Sequence, residues 1–391
     1  MIIEQGGRGG IADYTGRLAE ALCARGLLVS IATATDHLYH LPDAVEVLGV
    51  FTYVRSTSPA GRLVRRAGLG RVANGLLFLA ALPRLVRLAR RRAVVHVQGF
   101  ERTELGVLAM VALDVTGARI VYTAHNTFKR SRWTLDATRV LPRLACATIV
   151  HTEADRRRIG RQVVTRIPHG HYGAIADGAP HVDPAAARAA FGLPEEVPIV
   201  LLFGVLRPDK GLGDLLEALA STPGWRLLIA GEEHGALAAA AEQLRDPRLS
   251  ERVRVCQGFL PLAEVARCFA AADVLALPYR QASQSGALHL AYGFARPVIA
   301  YPVGGFLESV LDGETGWLCA DATPAALADT LAEAAAAGHA ELRRRGARAR
   351  SWSQEQFGWD RIAAATEAVY DAVLARARGP EWARHGGGGG R

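Results

Sequence analysis

Cysteine is scarce in this 391-residue chain, and the five that it has are scattered. They form no Cys-x-x-Cys pair, which argues against a zinc site or a disulfide framework and favours a reducing compartment. The first residues lack a basic stretch followed by an apolar run, so the sequence predicts no secretory signal peptide. The longest apolar stretch, near Leu76 to Leu82, is flanked by arginine and is too short to span a bilayer. These absences predict a cytoplasmic protein.

Lysine is nearly absent too: of 46 basic residues, only Lys129 and Lys210 are lysine. A position that keeps lysine is a candidate for a site that needs a compact ammonium, which a planar guanidinium does not replace. The charge is also uneven. Residues 1–180 hold 25 Arg and Lys against 13 Asp and Glu, a net +12, whereas residues 181–391 hold 21 against 25, a net −4. A basic half suits nucleic acid, anionic lipid or an anionic substrate.

Arginine and leucine are mixed in one part of the basic half. Nine arginines lie between Arg62 and Arg92, around the apolar run. Such a mixture on a helix suits the interface of an anionic bilayer, and it suits equally a solvated helix packed on its domain. Peripheral binding to the inner face of the plasma membrane therefore stays one of two alternatives. Because the basic half lacks interleaved aromatic residues and a known nucleic-acid module, no nucleic-acid partner is predicted.

The length and the alternation of strand and helix patterns predict an α/β protein of two Rossmann-like domains with a cleft between them. Residues 171–197, rich in Gly, Pro, Ala and Asp, break the alternation and mark the domain boundary. The sequence predicts an acceptor-binding domain over 1–175, a donor domain over 176–355, a helix crossing back to the first domain over 356–378, and a disordered tail over 379–391.

A glycine loop, Gly6 to Gly10, follows the first strand. Gly9 and Gly10 open a helix whose N–H groups suit an anion, and Asp13 beside them is a candidate acceptor contact. The pattern Gly7-x-Gly9-x-x-Ala12, with Asp36 after the second strand, also fits a dinucleotide fingerprint. An NAD(P)-dependent Rossmann oxidoreductase is therefore an alternative function.

A second motif, Tyr122 to Thr127, lies just past a buried strand, where ligands bind in open α/β sheets. His125 and Asn126 can hydrogen-bond sugar hydroxyls there, although a single histidine in a loop is often only structural.

Three motifs of the second half suit phosphate. In FGVLRPDKG, Arg207 and Lys210 stand at a predicted helix start, where cations oppose the helix dipole unless an anion is present, so both are predicted to converge on a diphosphate. Ser285 and Gly286 open a helix whose N–H groups suit phosphate, in the loop Pro278 to Ala287. The turn from Pro302 to Glu308 follows the next strand.

These runs resemble the donor-binding half of the large group 1, or GT4, family of retaining glycosyltransferases. The residues that carry the resemblance are FGVLRPDKG and LPYRQASQSGALHLAYGFARPVIAYPVGGFLESVLDGETGW, with GGRGGIADY and YTAHNTF in the first half. The resemblance implies the GT-B fold and transfer from a nucleoside-diphosphate sugar without a metal or another cofactor, and the sequence contains no Asp-x-Asp.

The resemblance also implies roles for single residues. Gly9 and Gly10 become neighbours of the donor phosphates, and His125 becomes a contact to the donor sugar. Arg207 and Lys210 become the diphosphate clamp. The remaining predicted donor contacts are Ser285, Gly286, Ala287 and Glu308.

One departure from the family concerns the nucleoside. The family often has two glutamates eight residues apart where this chain has Ala282 and Leu290. Leu290 cannot accept from a ribose hydroxyl, so an inactive sugar-nucleotide-binding protein stays an alternative. The prediction is a hexosyltransferase-type enzyme acting on a glycan, a lipid-linked or a small-molecule acceptor. The opening strand is very short. A start codon upstream of Met1 is therefore one of the alternatives.

Overall fold

The computed structural model describes residues 1–54, 63–64, 66–100, 102–125, 127, 140–160 and 163–378. Asn126, Lys129, Arg62, Arg65 and the predicted disordered tail 379–391 lie outside the described residues.

The chain divides into two compact units. The first contains Met1–His169 and Trp359–Arg391, and the second contains Gly170–Gly358. The sequence predicts these divisions at 175/176 and 355/356.

The first unit holds a seven-stranded parallel sheet in the order β3-β2-β1-β4-β5-β6-β7. Its strands are β1 (Ile2–Ile3), β2 (Val29–Ala34), β3 (Val45–Phe51), β4 (Val95–Val97), β5 (Ile120–Thr123), β6 (Ala147–Val150) and β7 (Val164–Arg166). Its helices are α1 (Gly10–Ala24), α2 (Gly70–Ala89), α3 (Thr103–Asp114), α4 (Glu153–Ile159) and, from the end of the chain, α14 (Trp359–Arg378).

Two helix layers cover this sheet, as its apolar strands require. On one face α1 and α14 bury Tyr14, Leu18 and Tyr370. On the other face α2 and α3 bury Phe78 and Met110. The strand order reverses between β1 and β4, so loops diverge there at the carboxyl edge, which is where open α/β sheets bind ligands.

The second unit repeats the plan with a six-stranded parallel sheet, in the order β10-β9-β8-β11-β12-β13. Its strands are β8 (Ile199–Phe203), β9 (Arg226–Gly231), β10 (Val253–Gln257), β11 (Val274–Leu277), β12 (Val298–Ala300) and β13 (Gly316–Leu318). Its helices are α5 (Gly173–Asp177), α6 (Pro184–Ala190), α7 (Leu212–Ser221), α8 (Ala236–Ala239), α9 (Pro247–Ser250), α10 (Leu262–Ala271), α11 (Gly286–Gly293), α12 (Phe306–Ser309) and α13 (Pro324–Gln356), which is broken at Gly338. The order reverses between β8 and β11.

The predicted break in the alternation of strand and helix at residues 171–197 is confirmed, because α5 and α6 follow one another there with no strand between them. A local signal begins α6, because the carboxylate of Asp183 accepts the N–H of Ala186 at 2.9 Å and Pro184 occupies the first turn. The apolar run near Leu76 is part of α2, which is long and apolar enough to cross a membrane by length and composition alone.

Candidate active site

The glycine loop of the first unit is folded around a carboxylate of the chain itself. Glu4 is buried, and its two oxygens accept the N–H groups of Gly6 and Gly7, each at 2.8 Å. The hydroxyls of Tyr39 and Thr33 donate to the same carboxylate, at 3.0 and 3.2 Å. Burial and this charge raise the pKa of Tyr39. Glu4 therefore accepts the N–H groups of Gly6 and Gly7, and the contacts of Gly9 and Gly10 to an anion stay a prediction.

The start of α1 follows this loop. Gly9 precedes the helix with φ 80°, and its carbonyl accepts the N–H of Asp13 at 3.0 Å. The side chain of Asp13 is exposed in the first turn, where a carboxylate stabilises the helix dipole. Asp36, the ribose ligand of the oxidoreductase alternative, accepts from the guanidinium of Arg8 at 3.2 Å.

His125 follows β5 and is held by two neighbouring side chains. Its Nδ1 lies 3.1 Å from Nε2 of His151, and its Nε2 lies 2.7 Å from Oε1 of Gln98. The ring edge of Tyr14 contacts His125 at 4.9 Å between centroids. Both ring nitrogens of His125 thus have protein partners, so a sugar hydroxyl at Nε2 has to replace Gln98.

The loop that carries His125 is also tied to the start of α4. Asp155 is buried and accepts the hydroxyls of Thr127 and Thr152, the latter at 2.7 Å. The hydroxyl of Thr152 in turn accepts the N–H of Asp155 at 3.0 Å, as an N-cap. These bonds tie Thr127 to the start of α4.

A row of hydrogen bonds crosses the carboxyl edge from β4 to β7. It runs from Gln98 through His125 and His151 to the carbonyl of Ile167, which lies 3.0 Å from Nδ1 of His151. A carbonyl only accepts, so Nδ1 of His151 carries a proton. With neutral rings, Nδ1 of His125 then donates to His151, and its Nε2 is left as an acceptor.

The histidine rings of this row are either neutral or protonated, and their pKa shifts decide which. Burial lowers the pKa of His125, and the neighbouring histidines add to the shift. Burial also lowers the pKa of His151, against the opposing effects of the Ile167 carbonyl and Asp155. Neutral rings are therefore favoured, and a half-turn of the Gln98 amide supplies the N–H that Nε2 of His125 accepts.

His96 lies beside this row. Its Nδ1 is 2.6 Å from the hydroxyl of Tyr370, and its Nε2 is 2.6 Å from that of Thr123. Burial, with the charges of the N-terminus and His151, lowers the pKa of His96 to about 3. The carboxyl edge of the first sheet is thus a buried and largely neutral polar surface.

Cations characterise the corresponding edge of the second unit. Arg207 forms a two-point ion pair with Asp209, at 2.8 and 3.0 Å. The ammonium of Lys210 lies 3.6 Å above the centre of the Tyr279 ring. Tyr279 is buried, and its ring packs on Phe306. Each cation thus contacts a different protein group in this structure, and their convergence on a diphosphate stays a prediction.

Two acids lie in the same turn and helix start, and one of them pairs with Arg207. Asp209 lies in the 3₁₀ turn Pro208–Lys210, and Asp214 lies in the first turn of α7. Asp214 accepts from Arg280 at 2.7 Å and from the hydroxyl of Tyr301 at 3.2 Å. The expectation that an external anion must offset the basic helix start is therefore too strong, since the chain supplies part of that charge.

Close backbone contacts hold the loops of β8, β11 and β12 together. Gly211 has φ 74°, and a Cβ there would lie 1.9 Å from the carbonyl oxygen of Pro278. Gly304 has φ 50°, and its Cβ would lie 1.7 Å from the carbonyl oxygen of Ala282. Both positions require glycine, so three successive loops form one rigid edge.

The predicted helix start at Ser285 is confirmed. Gly286 begins α11, and the buried hydroxyl of Ser285 accepts the N–H of Leu288 at 3.4 Å. Ala287 lies in the same first turn, and Glu308 lies in the short helix α12 after β12. Ala282 is buried, and Leu290 is half-buried on α11.

Sequence reasoning missed Glu4, Gln98, His151 and Tyr279. Each is a polar or aromatic residue at, or within two residues of, the carboxyl end of a strand. That position is the signal that could have found them, once the strands were known to be parallel.

Comparison with known proteins decides the family. Residues 9–170 match the family model of the glycosyl transferase 4-like domain, and residues 197–336 match that of glycosyl transferases group 1. The chain belongs to the group 1 glycosyltransferases. This membership confirms the predicted family and enzyme class, and it decides against the oxidoreductase alternative.

Two relatives of this glycosyltransferase share a name. A D-inositol 3-phosphate glycosyltransferase of Mycolicibacterium smegmatis is 30% identical over 297 residues, which cover 70% of this chain and 67% of the relative. The protein of that name from Segniliparus rotundus is 28% identical over 396 residues, covering 94% and 86%.

Solved structures support the GT-B fold. Sucrose-phosphate synthase from Thermosynechococcus elongatus has a TM-score of 0.74 at 23% identity, covering 96% of this chain and 98% of that one. Anabaena HepE in complex with UDP and glucose has a TM-score of 0.73 at 18% identity, covering 95% and 98%.

Proposed function

We propose that this enzyme transfers a sugar from a nucleoside-diphosphate sugar to an acceptor hydroxyl, with retention and without a divalent metal. The names of its relatives contain an acceptor, D-inositol 3-phosphate, and HepE was solved with UDP-glucose. These names support a nucleotide-sugar donor and make a phosphorylated polyol one acceptor to test.

The observation that carries the proposal is the cationic edge of the second unit. Departure of a nucleoside diphosphate builds negative charge on its phosphates, and fixed positive groups stabilise that charge. Lys210 is already placed by the Tyr279 ring, so its ammonium loses little freedom on binding. Arg207 joins it when a phosphate replaces Asp209, and the N–H groups at the start of α11 add donors.

The first unit supplies the neutral part of the proposed chemistry. His125 orients the donor sugar through Nε2, with Gly9 and Gly10 near the phosphates and Asp13 near the acceptor. Neutral imidazole suits a hydroxyl, because it both bonds the group and adds no charge that competes with the cations for the leaving group.

Nucleoside recognition differs from the usual family pattern in this proposal. Ala282 and Leu290 carry no carboxylate, so the ribose hydroxyls are held by other groups or remain in solvent. A donor whose affinity comes mainly from its diphosphate is the expected consequence.

A thermal-shift panel tests the proposal. UDP-, GDP- and dTDP-sugars are compared with NAD and NADP, each with and without EDTA. We expect at least one nucleotide sugar to raise the melting temperature, with no requirement for metal, and the dinucleotides to have no effect. Stabilisation by NAD or NADP alone would contradict the proposal.

Transfer is then measured with the donor that binds. D-inositol 3-phosphate is one acceptor, tested beside a neutral polyol and a lipid-linked sugar. Turnover that is lost in EDTA and restored by magnesium or manganese would overturn the metal-independent part.

A further inference from the structure

Helices α2 and α3 present apolar side chains to solvent on one side of the first unit. The buried side of α2 repeats every three or four residues through Gly75, Phe78, Ala81, Leu85 and Ala89. A solvent face opposite to such a stripe is normally polar. Here the opposite face contains Val72, Leu76 and Leu79, all exposed.

The neighbouring helix continues this apolar surface. Helix α3 packs against α2 and buries Ala109 and Met110 in the same core, on the same face of the sheet. Its outward side contains Leu108 and Val111, and Val115 follows directly. Eight of the seventeen exposed large hydrophobic side chains among the described residues lie between Leu63 and Val115.

Positive charge borders this apolar surface at the end of α2, whereas α3 contributes the exposed acid Asp114. Residues 51–100 contain ten arginines and no Asp or Glu. Arg84, Arg87, Arg90 and Arg91 are exposed in the last turns of α2 and just after it. Among the described residues Arg92 pairs with Glu46, whereas these four form no ion pair.

We name this surface the arginine–leucine face. Its members are Leu69, Val72, Leu76, Leu79, Arg84, Arg87, Arg90, Arg91, Leu108, Val111 and Val115. We propose that the arginine–leucine face docks on the surface of an anionic phospholipid bilayer, with α2 lying in the interface.

Three properties favour this occupant. Apolar side chains enter the acyl boundary while arginines reach lipid phosphates, which is how interfacial helices bind. A second copy related by a two-fold axis would place arginines against arginines. Helix α2 does not span the bilayer, since Phe78 and Leu85 hold its other side against the sheet.

Vesicle flotation tests this docking without any assay of transfer, so its outcome is separate from that of the proposed function. Vesicles of phosphatidylcholine with about one third phosphatidylglycerol are compared with pure phosphatidylcholine. We expect recovery with the anionic vesicles only, and weaker recovery as salt is added.

Two pairs of substitutions separate the apolar and the charged contributions. Leu76→Gln with Leu79→Gln should reduce partitioning more than tenfold. Arg87→Gln with Arg91→Gln should reduce it about 25-fold, at about fivefold for each arginine. The matched controls lie elsewhere on the first unit: Leu28→Gln with Val163→Gln, and Arg156→Gln with Arg157→Gln, all at exposed positions. They should bind like the unchanged protein, and circular dichroism checks that every variant is folded.

Equal recovery with neutral and anionic vesicles, no recovery with either, or equal losses in the controls would overturn the proposal. Sedimentation velocity without lipid tests whether this face instead joins two copies of the chain, which would also overturn the proposal. If the unchanged protein were a dimer and the Leu76 and Leu79 variant a monomer, the arginine–leucine face would be an interface between copies.

Discussion

The carboxyl edges of the two sheets share one topology but differ in charge: the first holds a carboxylate and neutral histidines, and the second holds cations. In each unit the strand order reverses beside the first strand, and the loops that diverge there contain the motifs. In the first unit those loops enclose the carboxylate of Glu4 and a row of neutral histidines. In the second unit they present Lys210 and Arg207.

The difference shows how one scaffold serves two tasks. The glycine loop after β1 already surrounds the carboxylate of Glu4, whose oxygens accept two of its N–H groups. The loop therefore has a structural role at the site. The loop after β8 balances its cations only partly, with acids that are exposed or directed elsewhere, and so keeps capacity for an external phosphate. This contrast assigns the proposed leaving-group chemistry to the second unit.

Replacing Glu4, the buried carboxylate of the first unit, should cause the largest difference in stability between the two units. Glu4→Ala leaves the N–H groups of Gly6 and Gly7 and two hydroxyls without their acceptor, at a cost of about 4 kcal/mol in the stability of the first unit. Hydrogen exchange of β1, α1 and β2 measures this loss, with the second unit as internal reference. Added formate or acetate should restore part of it by replacing the carboxylate. Equal exchange in the variant and the unchanged protein would show that the loop does not depend on Glu4.

Acid should weaken the first unit more than the second. The unfolded chain protonates its histidines near pH 6.5, whereas burial keeps His96 neutral in the folded protein to about pH 3. The contribution of His96 to stability is therefore complete above pH 6.5 and falls by about 1.4 kcal/mol per pH unit as the pH is lowered towards 3.

Hydrogen exchange at pH 7 and pH 5, corrected for intrinsic rates, follows this loss in each unit. His96→Gln serves as the control. Because it removes one titrating group, it should reduce the loss of stability of the first unit between pH 7 and pH 5. An equal loss of stability in both units at pH 5 would contradict the claim that buried neutral histidines distinguish the first unit from the second.

A smaller effect is expected from the histidine row. His151→Phe removes the acceptor that fixes the tautomer of His125, so kcat should fall about tenfold with little change in nucleotide affinity. His151→Asn retains an acceptor and should recover part of the rate. Nitrogen NMR of the His125 ring reports the tautomer directly, and an unchanged tautomer in His151→Phe would exclude this positioning role.

Local signals in the sequence predicted much of the second unit's edge. Ser285 and Gly286 were predicted to open a helix from their neighbouring residues alone, and α11 begins there. Asp183 with Pro184 gave an equally local signal for α6, but the surrounding composition obscured it.

The first unit's edge was less predictable because its contacts are not local. Gln98, His125 and His151 meet only after β4, β5 and β6 align side by side, and Glu4 gains its partners from residues up to 35 positions away. The ion pair of Arg207 with Asp209 is local, yet the resemblance to a diphosphate-binding family favoured an external anion as the partner of Arg207.

Steady-state kinetics of Lys210→Ala tests the central claim most directly. Arg248→Ala, an exposed cation elsewhere on the second unit, is the matched control. We predict that Lys210→Ala loses about 2–4 kcal/mol of transition-state stabilisation, by analogy with the removal of one oxyanion donor. Lys210→Arg should recover only part of the rate, and folding should be little changed. A kcat/KM close to that of the unchanged enzyme would contradict the assignment of the leaving-group site to the second unit.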